Sequence, residues 1–182
     1  MVDVSHMSDT AFDQVRELMA GRPFIASHSN CRSLSPASRN LTDAQIRSLA
    51  DCGGVMGINL APDFLDRDYL AAWDAIMAPV AHADPATRYQ HRMAAGPQLR
   101  AIPRPSLDMV ARHVQHAIAT GGENCIGLGG DLDGISFTPA QVTGVESYPS
   151  IVDALHVSGL SERQVEKVCW RNMARVFQEV LP

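Results

Sequence analysis

Two histidines stand at the ends of short apolar segments near the start of the chain. His6 lies in "DVSHMS" and His28 lies in "IASHSN", with a helical pattern between the two segments. A lone histidine at a strand end is more often a hydrogen-bonded structural residue than a ligand. Two of them at equivalent ends of successive parallel strands would lie on the same side of a sheet, where imidazole nitrogens suit zinc and similar ions. The pattern therefore predicts that His6 and His28 form part of a metal site.

A pair of carboxylates follows the apolar run in "IGLGGDLDGI", residues 126–135. Ile126 and Leu128 are typical of a buried strand, which would deliver Asp131 and Asp133 to the loop at its end. A Gly-Asp surface turn is the alternative. A calcium loop of the EF-hand type needs further oxygen ligands and a closing glutamate, which this stretch does not supply. The two aspartates are therefore predicted to act in a site at the strand end.

Two more polar residues are candidates for contact with a substrate. Arg39, in "SPASRNLTD", follows His28 in a loop expected at the same edge of the sheet. Its guanidinium could bind a substrate carboxylate through two parallel hydrogen bonds, although a solvated loop arginine is the alternative. Asn59 ends the apolar segment "GVMGINL". The other histidines are interpreted as having no chemical role: His82, His91, His113, His116 and His156.

The elements that would position these residues alternate along the chain. Four apolar segments, "MVDVSH", "RPFIASHS", "GVMGINL" and "NCIGLGGDLDGI", are separated by helical patterns. This order predicts an α/β fold with about four parallel strand–helix units, whose sheet is buried on both faces. In such folds the loops at the carboxyl ends of the strands converge on one rim. All the candidate residues above are expected at that rim.

The helical patterns carry recognisable start signals. Thr42 with Gln45 and Ser161 with Gln164 form capping boxes, and Ser106 is expected to cap a helix that starts at Leu107. The first helix is expected to bury a face made of Phe12, Val15, Leu18 and Met19. Residues 61–105 contain six prolines. They are predicted to form a helix near residues 69–78 and then an irregular excursion that acts as a lid or contact surface.

Composition narrows the class of protein. The 182 residues fit one domain, 1–182, and the net charge of −5 with scattered basic residues argues against a nucleic-acid partner. The four cysteines are far apart, which argues against a zinc knuckle or a disulfide framework and favours a reducing cytoplasm. No apolar stretch is long enough for a membrane span, and no secretory signal is recognisable. We expect a cytoplasmic protein with small-molecule or protein partners.

Several of these segments together resemble the membrane dipeptidase (renal dipeptidase) family of zinc metallopeptidases. The segments are "VDVSHMS", "PFIASHSNCRSLSPASRNLTD", "GGVMGINLAPDFL", "IGLGGDLDGI" and "NMARVF". They follow the order of the family's signatures, so the resemblance covers essentially all 182 residues. The run from His28 to Asn40, combined with the Asp131 motif, is specific.

The resemblance implies a (β/α)8 barrel that hydrolyses dipeptides at a centre with two zinc ions. By position, His6 and His28 match the two histidines that bind the second zinc ion. Arg39 matches the arginine that holds the substrate carboxylate, and Asp131 matches the aspartate that manages the proton during cleavage. Asp133 and Asn59 lie in matching motifs.

The chain also departs from the family pattern. Family members are about twice as long, and the resemblance places the start of this chain at what would be the fifth strand. In family members, the N-terminal half supplies a His-x-Asp pair and a glutamate that bridges the two metal ions. The one His-x-Asp here, His82 with Asp84, falls in the proline-rich segment and is interpreted as coincidence. At most one zinc ion, weakly held, is therefore expected in this chain alone.

Three functional hypotheses follow. The first is the C-terminal half of a zinc-dependent dipeptidase, whose partial barrel has open edges and associates with a second copy or with the missing half. In this form its activity alone is expected to be impaired or absent. The second is a catalytically inactive half-barrel that serves as an assembly or binding module. The third keeps the metal barrel but takes another small amide or a lactam as its substrate.

Overall fold

The predicted alternation of strands and helices is present in the computed structural model, which describes residues 1–19 and 21–181. Three parallel strands form a sheet in the order β1-β2-β3: Ile25–Ala26, Val55–Asn59 and Ile126–Gly130. Ile25 pairs with Val55, and Met56 pairs with Ile126. The α/β class and the parallel direction of the strands are confirmed.

The first predicted strand is reduced to a single bridge, so the prediction of four strands was wrong by one. Asp3 pairs with Ile25, whose N–H donates to Val2 O at 3.0 Å. The Asp3 carboxylate then accepts the backbone N–H groups of Ser5 and Ser27, at 3.1 and 3.0 Å. Because this side chain takes the Ser27 N–H, which would form the next bond of the ladder, pairing stops after one bridge.

Nine α-helices lie among the described residues, and three of them pack directly on the sheet. The last helical stretch of the chain contains a π-helical turn, Lys167–Arg171. A short 3₁₀ turn, Val145–Ser147, precedes the helix that begins at Tyr148. The helices are α1 (Asp9–Met19), α2 (Asp43–Asp51), α3 (Pro62–Leu65), α4 (Arg67–Ala81), α5 (Arg88–Ala101), α6 (Leu107–Gly121), α7 (Tyr148–Val157), α8 (Glu162–Glu166) and α9 (Asn172–Val180).

The start signals in the sequence were largely correct. Both predicted capping boxes are formed. The side chains of Thr42 and Ser161 each accept the backbone N–H of the glutamine three residues later, and the side chain of that glutamine accepts the backbone N–H of the capping residue. Ser106 does occupy the position before α6, but its side chain makes no capping bond. Its hydroxyl instead donates to the Asp108 carboxylate at 3.2 Å.

One face of α1 was predicted too broadly. Phe12 is buried and packs edge-to-face on Phe24, with the ring centroids 5.7 Å apart. Val15 and Met19 pack against the core from its margin. Leu18, in contrast, is 77% exposed. The apolar stripe is therefore narrower than the sequence suggested, and Leu18 lies on the solvent side of it.

The proline-rich segment 61–105 is helical, so the predicted irregular excursion was wrong. After α3, the helices α4 and α5 pack on each other through Val80, Ala95 and Leu99. Pro79 and Pro97 lie inside these helices. A proline inside a helix removes one backbone hydrogen bond, but here the two helices are also held by a shared apolar cluster.

The main core lies between the sheet and its helices. Met56 and Ile58 on β2 and Ile126 on β3 are fully buried, together with side chains from α2, α6 and α7. The strand ends converge closely, because a Cβ atom built on Gly57 or on Gly129 would lie 2.2 or 2.0 Å from Ser27 O. Glycine at these two positions therefore lets the ends of the three strands meet.

None of the helices in residues 1–19 and 21–181 is both long enough and apolar enough to cross a membrane. All four cysteines are free thiols, and two of them, Cys31 and Cys125, are buried.

Candidate functional site

The two predicted metal-binding histidines meet at the carboxyl end of the sheet. His6 follows the Asp3 bridge and His28 follows β1, and their Nε2 atoms are 2.9 Å apart. The ring centroids are 4.9 Å apart with an interplanar angle of 66°. The structure therefore brings together two residues that are separated by a helix in the sequence.

Two serines hold His28 in place. The His28 Nδ1 atom is 2.7 Å from Ser27 Oγ, and the His28 backbone N–H donates to Ser5 Oγ at 2.9 Å. The two hydroxyls are themselves 3.3 Å apart. With Nδ1 engaged by a hydroxyl, the His28 Nε2 atom is left to face His6, and this arrangement is typical of a ligand histidine.

The electrostatic surroundings of His28 favour its neutral form. Partial burial is the largest influence and lowers the pKa of the imidazole. The Asp131 carboxylate acts in the opposite direction, whereas His6 and Arg39 lower the pKa further. A neutral imidazole is the form that binds a metal ion.

Arg39 reaches the histidine pair from the loop that joins β1 to α2. Its Nε donates to Ser5 O at 2.7 Å, and its Nη2 is 3.4 Å from His28 Nε2. The guanidinium also lies over the Phe64 ring, 5.7 Å from the centroid. Arg39 is thus held beside the predicted metal ligands, where its charge could meet a bound anion.

A chain of three buried asparagines, Asn30, Asn40 and Asn59, holds the loops of the site together. Asn40 Oδ1 accepts the Asn30 N–H at 3.1 Å, and Asn40 Nδ2 donates to Phe64 O at 2.8 Å. The Asn30 side chain exchanges two hydrogen bonds with the backbone of Asn59, each 3.0 Å long. Satisfied amides of this kind make the loop that carries Arg39 rigid.

Asn59 connects these asparagines to Asp131, the first of the two predicted carboxylates. Its Nδ2 donates to Asp131 Oδ2 at 3.0 Å, and its Oδ1 accepts the Ala61 N–H at 2.7 Å. Both ends of the amide are therefore engaged by the protein. The geometry gives Asn59 the role of orienting Asp131, and direct contact with a substrate remains a prediction.

Asp131 stands in a strained turn directly after β3. Its φ of 60° is in the left-handed region, which is uncommon for a residue with a side chain. The turn closes through Gly134 N–H, which donates to Asp131 O at 3.0 Å. A Cβ atom on Gly134 would lie 2.2 Å from Asp131 Oδ1, so a side chain at that position would displace the Asp131 carboxylate. Asp133, in contrast, is exposed and does not line the cleft described next.

The rim residues open onto a cleft of about 310 Å³, the candidate cleft. His6, Arg39, Asn59 and Asp131 lie along it. Four aromatic side chains also line it: Phe64, Tyr69, Trp73 and Phe137. A cleft that combines polar groups with apolar side chains is typical of a site for a small organic ligand.

Most of the other residues of the cleft were missed by the sequence analysis, among them Asp63 and Tyr69, which carry ionisable side chains. Asp63 is largely buried, and this burial raises the pKa of its carboxyl group, while Arg39 acts to lower it. Tyr69 is 3% exposed, and its hydroxyl has no hydrogen-bond partner among the described residues. Asp63 lies before the helix predicted near residues 69–78 and Tyr69 lies at its start, and neither residue ends an apolar strand segment, so the sequence pattern did not direct attention to them.

The other predicted residues lie elsewhere. His82 and Asp84 occupy the connection between α4 and α5, where His82 Nδ1 is 2.7 Å from Ala78 O. His113 is fully buried and binds backbone atoms at both ring nitrogens, with the Cys31 N–H at 3.0 Å and Leu65 O at 2.9 Å. Its role is structural.

The donors at the rim fit part of a zinc site. Zinc–nitrogen bonds of about 2.0–2.1 Å place two ligating nitrogens about 3.3 Å apart in a tetrahedral site. The 2.9 Å between the two Nε2 atoms is close to this, so a small ring rotation suffices. Throughout residues 1–19 and 21–181, no group of three or more His, Cys, Asp or Glu side chains is arranged around one ion position. His6 and His28 therefore fit two ligand positions of one ion.

Comparison with known proteins points in the same direction. A family model described as membrane dipeptidase, peptidase family M19, matches residues 1–181. The chain is 32% identical over 179 residues to an uncharacterized protein in the pqqA 5' region of Klebsiella pneumoniae, covering 98% of this chain and 54% of that protein. It is 27% identical over 180 residues to dipeptidase 3 of Mus musculus, covering 99% and 29%.

A solved structure is similar in both sequence and fold. It is a metallopeptidase from Rhodobacter sphaeroides, liganded with a phosphinate mimic of the dipeptide L-Ala-D-Ala. The TM-score is 0.76 and the identity 27%, over 98% of this chain and 42% of that one. The chain thus spans about half or less of the length of the proteins it matches.

Proposed function

The chain belongs to the membrane dipeptidase family, peptidase family M19, and on that premise we propose that its rim residues form part of a zinc-dependent site that hydrolyses dipeptides. The proposal rests on one observation above all. The His6 and His28 Nε2 atoms meet at 2.9 Å at the carboxyl end of the sheet, beside Arg39, and His6 lies along the same cleft as Asp131. The same proposal includes a partial-barrel architecture, in which this chain corresponds to part of the (β/α)8 barrel that the family resemblance implies.

Each rim residue has a distinct task in this proposal. His6 and His28 hold a zinc ion, which when bound supplies a Lewis acid for the scissile carbonyl and a nucleophile from water. Arg39 binds the carboxylate of the dipeptide through its guanidinium, which fixes the peptide bond in position. Asp131 accepts a proton from the attacking water and delivers it to the departing amine. Asn59 holds the Asp131 carboxylate in the required orientation.

The aromatic side of the cleft supports this chemistry. Phe64, Trp73 and Phe137 add apolar surface to the lining of the cleft and so reduce the access of water to its polar groups. Charges interact more strongly where water is excluded, so the pairing of Arg39 with a bound carboxylate gains strength. The cleft volume of about 310 Å³ suits a ligand of dipeptide size.

The test measures zinc and turnover together. The purified chain is assayed for bound zinc and for dipeptide hydrolysis. Both assays are done on the chain alone and on the chain mixed with a segment of a longer family member, namely the part of that protein to which this chain does not align. We expect weak zinc binding alone, and tighter binding with hydrolysis in the mixture. His6→Ala and His28→Ala should each remove both properties, whereas His91→Ala, on the exposed side of α5, should change neither.

Arg39 is tested separately. Arg39→Lys keeps the charge but loses the planar pair of donors, so we expect a rise in KM of about tenfold or more, as for the loss of a charge-assisted hydrogen bond. Turnover without any dependence on His6 and His28 would contradict the proposal. Failure of the mixture to bind zinc or to hydrolyse any dipeptide would favour the inactive assembly module. Hydrolysis of other amides or lactams only would favour a different substrate class.

A further inference from the structure

A second pocket adjoins the candidate cleft and is not used by the proposed chemistry. This α4–α5 pocket has a volume of about 350 Å³ and is lined by side chains of α4, α5 and the loop at Phe137. It shares Trp73, Arg92 and Phe137 with the candidate cleft. A ligand bound at the rim could therefore extend past these side chains into the pocket.

The charged side chains that line the α4–α5 pocket are all positive. Met77 and Leu99 join Trp73 and Phe137 in an apolar wall, and the only charged residues along it are Arg92 and Arg100. None of the described residues that line it carries a carboxylate. Neither arginine forms an ion pair with a carboxylate in residues 1–19 or 21–181. An anionic group on an apolar arm complements such a pocket.

A second observation, beside Trp73 at the junction of the two cavities, also points to a ligand; it concerns Tyr69, which lines the candidate cleft but not the α4–α5 pocket. Tyr69 is buried, with 3% of its surface exposed, and its ring stacks on Trp73 with the ring centroids 6.3 Å apart. Its hydroxyl lacks a protein partner, and burial raises the pKa of this phenol to about 12, so it stays a hydrogen-bond donor. A buried hydroxyl without a partner is costly unless a ligand satisfies it.

We propose that the α4–α5 pocket selects dipeptides with an acidic side chain of glutamyl type, whose carboxylate is bound by Arg92 with support from Arg100. The side-chain methylenes pack on Trp73 and Phe137, and the Tyr69 hydroxyl donates to the ligand at the junction. This inference rests on the proposed function, because Arg39 holds the main-chain carboxylate of the same ligand.

The test compares two nearly isosteric dipeptides, Ala-Glu and Ala-Gln, by titration calorimetry in the presence of a chelator so that neither is hydrolysed. We expect the chain to bind Ala-Glu about tenfold more tightly, which is the effect of one charge-assisted pairing. Arg92→Gln should bring the two affinities close together, and adding Arg100→Gln should remove the remaining preference. The matched control is Arg88→Gln, on the same helix but outside both cavities, which should keep the preference.

The outcomes separate this inference from the proposed function. Equal affinities in the unchanged chain, both lost in Arg39→Met, would overturn the pocket assignment and leave the proposed function intact. A preference for Ala-Glu that survives in the doubly substituted chain would also overturn it. If neither dipeptide binds, both proposals are contradicted.

Discussion

Among single residues, His113 bears most directly on the stability of the folded chain. Its imidazole is fully buried between the Cys31 N–H and Leu65 O, and it thereby ties the loop after β1 to α3 and α6. Burial lowers the pKa of His113 to about 4. The neutral ring is thus part of the core, although the sequence showed only one of several histidines on an amphipathic helix.

The first prediction concerns the pH dependence of stability. Unfolded histidine has a pKa near 6.5, so between pH 6.5 and about 4 the unfolded chain binds the additional proton. The free energy of unfolding should therefore fall by about 3 kcal/mol as the pH is lowered through this window, as measured by urea unfolding. The Asp9 carboxylate also stabilises the fold, but its pKa is lowered to about 2, so the stability that it contributes is lost only at more acidic pH.

Variants assign this slope to its residue. In His113→Phe the slope between pH 6.5 and 4 should become clearly smaller, and the lowered pKa of His28 should account for part of what remains. Stability at neutral pH should drop by about 2 kcal/mol because two backbone groups lose their partner. In the control, His156→Gln, a partly exposed histidine is replaced and the slope should remain. An unchanged slope in His113→Phe would show that His113 is not its source.

Residue types and spacing predicted part of the site. His6, His28, Arg39 and Asp131 could be selected because they end apolar segments or match a signature, and the structure places all four along one rim. Asn30 and Asn40 could not, because an asparagine in a polar loop gives no sign that it is buried. Their importance follows from the backbone groups that they satisfy, which are set by tertiary contacts.

At the level of elements, the sheet depends on close approach of its strand ends. Gly57 on β2 has no room for a Cβ atom, because the backbone Ser27 O would lie 2.2 Å away. Gly127 on β3 faces Met173 Cγ at 3.3 Å, and this flexible side chain can move. The two glycines therefore differ in what surrounds them, although both lie in buried strands.

The second prediction uses this difference. Gly57→Ala should lower the free energy of unfolding by about 3 kcal/mol, because the backbone must shift to relieve the overlap. Gly127→Ala, the matched control in a neighbouring strand, should cost less than about 1 kcal/mol. Both are measured by chemical denaturation at neutral pH. Equal effects of the two substitutions would contradict the close approach at Ser27.

The third prediction concerns the attachment of the last helix to the sheet. Asn172, at the start of α9, is buried, and its Nδ2 donates to Glu123 O and Ile126 O, both at 2.8 Å. Asn172→Ala should destabilise the fold by about 2 kcal/mol, since two carbonyl groups lose their donor. Asn172→Asp should cost more at neutral pH, because a carboxylate would face those same oxygens. If aspartate were tolerated better than alanine in thermal unfolding, this contact would be of no consequence.

Local signals predicted some elements and misled on others. The capping boxes at Thr42 and Ser161 fixed two helix starts, since a capping interaction is local in sequence. The prolines of residues 61–105 suggested irregular structure, yet Pro79 and Pro97 lie inside α4 and α5. The packing of these two helices on each other is a tertiary contribution, and proline propensity alone does not include it.

At the level of the whole molecule, the α/β class followed from the order of apolar and helical segments. The number of strands did not, because the loss of the first strand depends on where the Asp3 carboxylate binds. Association with a second copy or with a complementary segment remains a prediction, and sedimentation velocity over a wide concentration range would detect it. A monomer at every concentration would contradict self-association.

The last prediction links the proposed metal site to global stability. A ligand that binds only the folded chain raises the free energy of unfolding by RT ln(1 + [L]/Kd), about 2.7 kcal/mol at a hundredfold excess over Kd. Zinc should therefore raise the Tm of the unchanged chain, and a chelator should reverse the effect. His6→Ala and His28→Ala should abolish the shift, because each leaves one imidazole to hold the ion, while His156→Ala should keep it. A zinc-dependent shift of equal size in all these chains would mean that the ion binds elsewhere, since the 2.9 Å pair is the feature that the two substitutions remove.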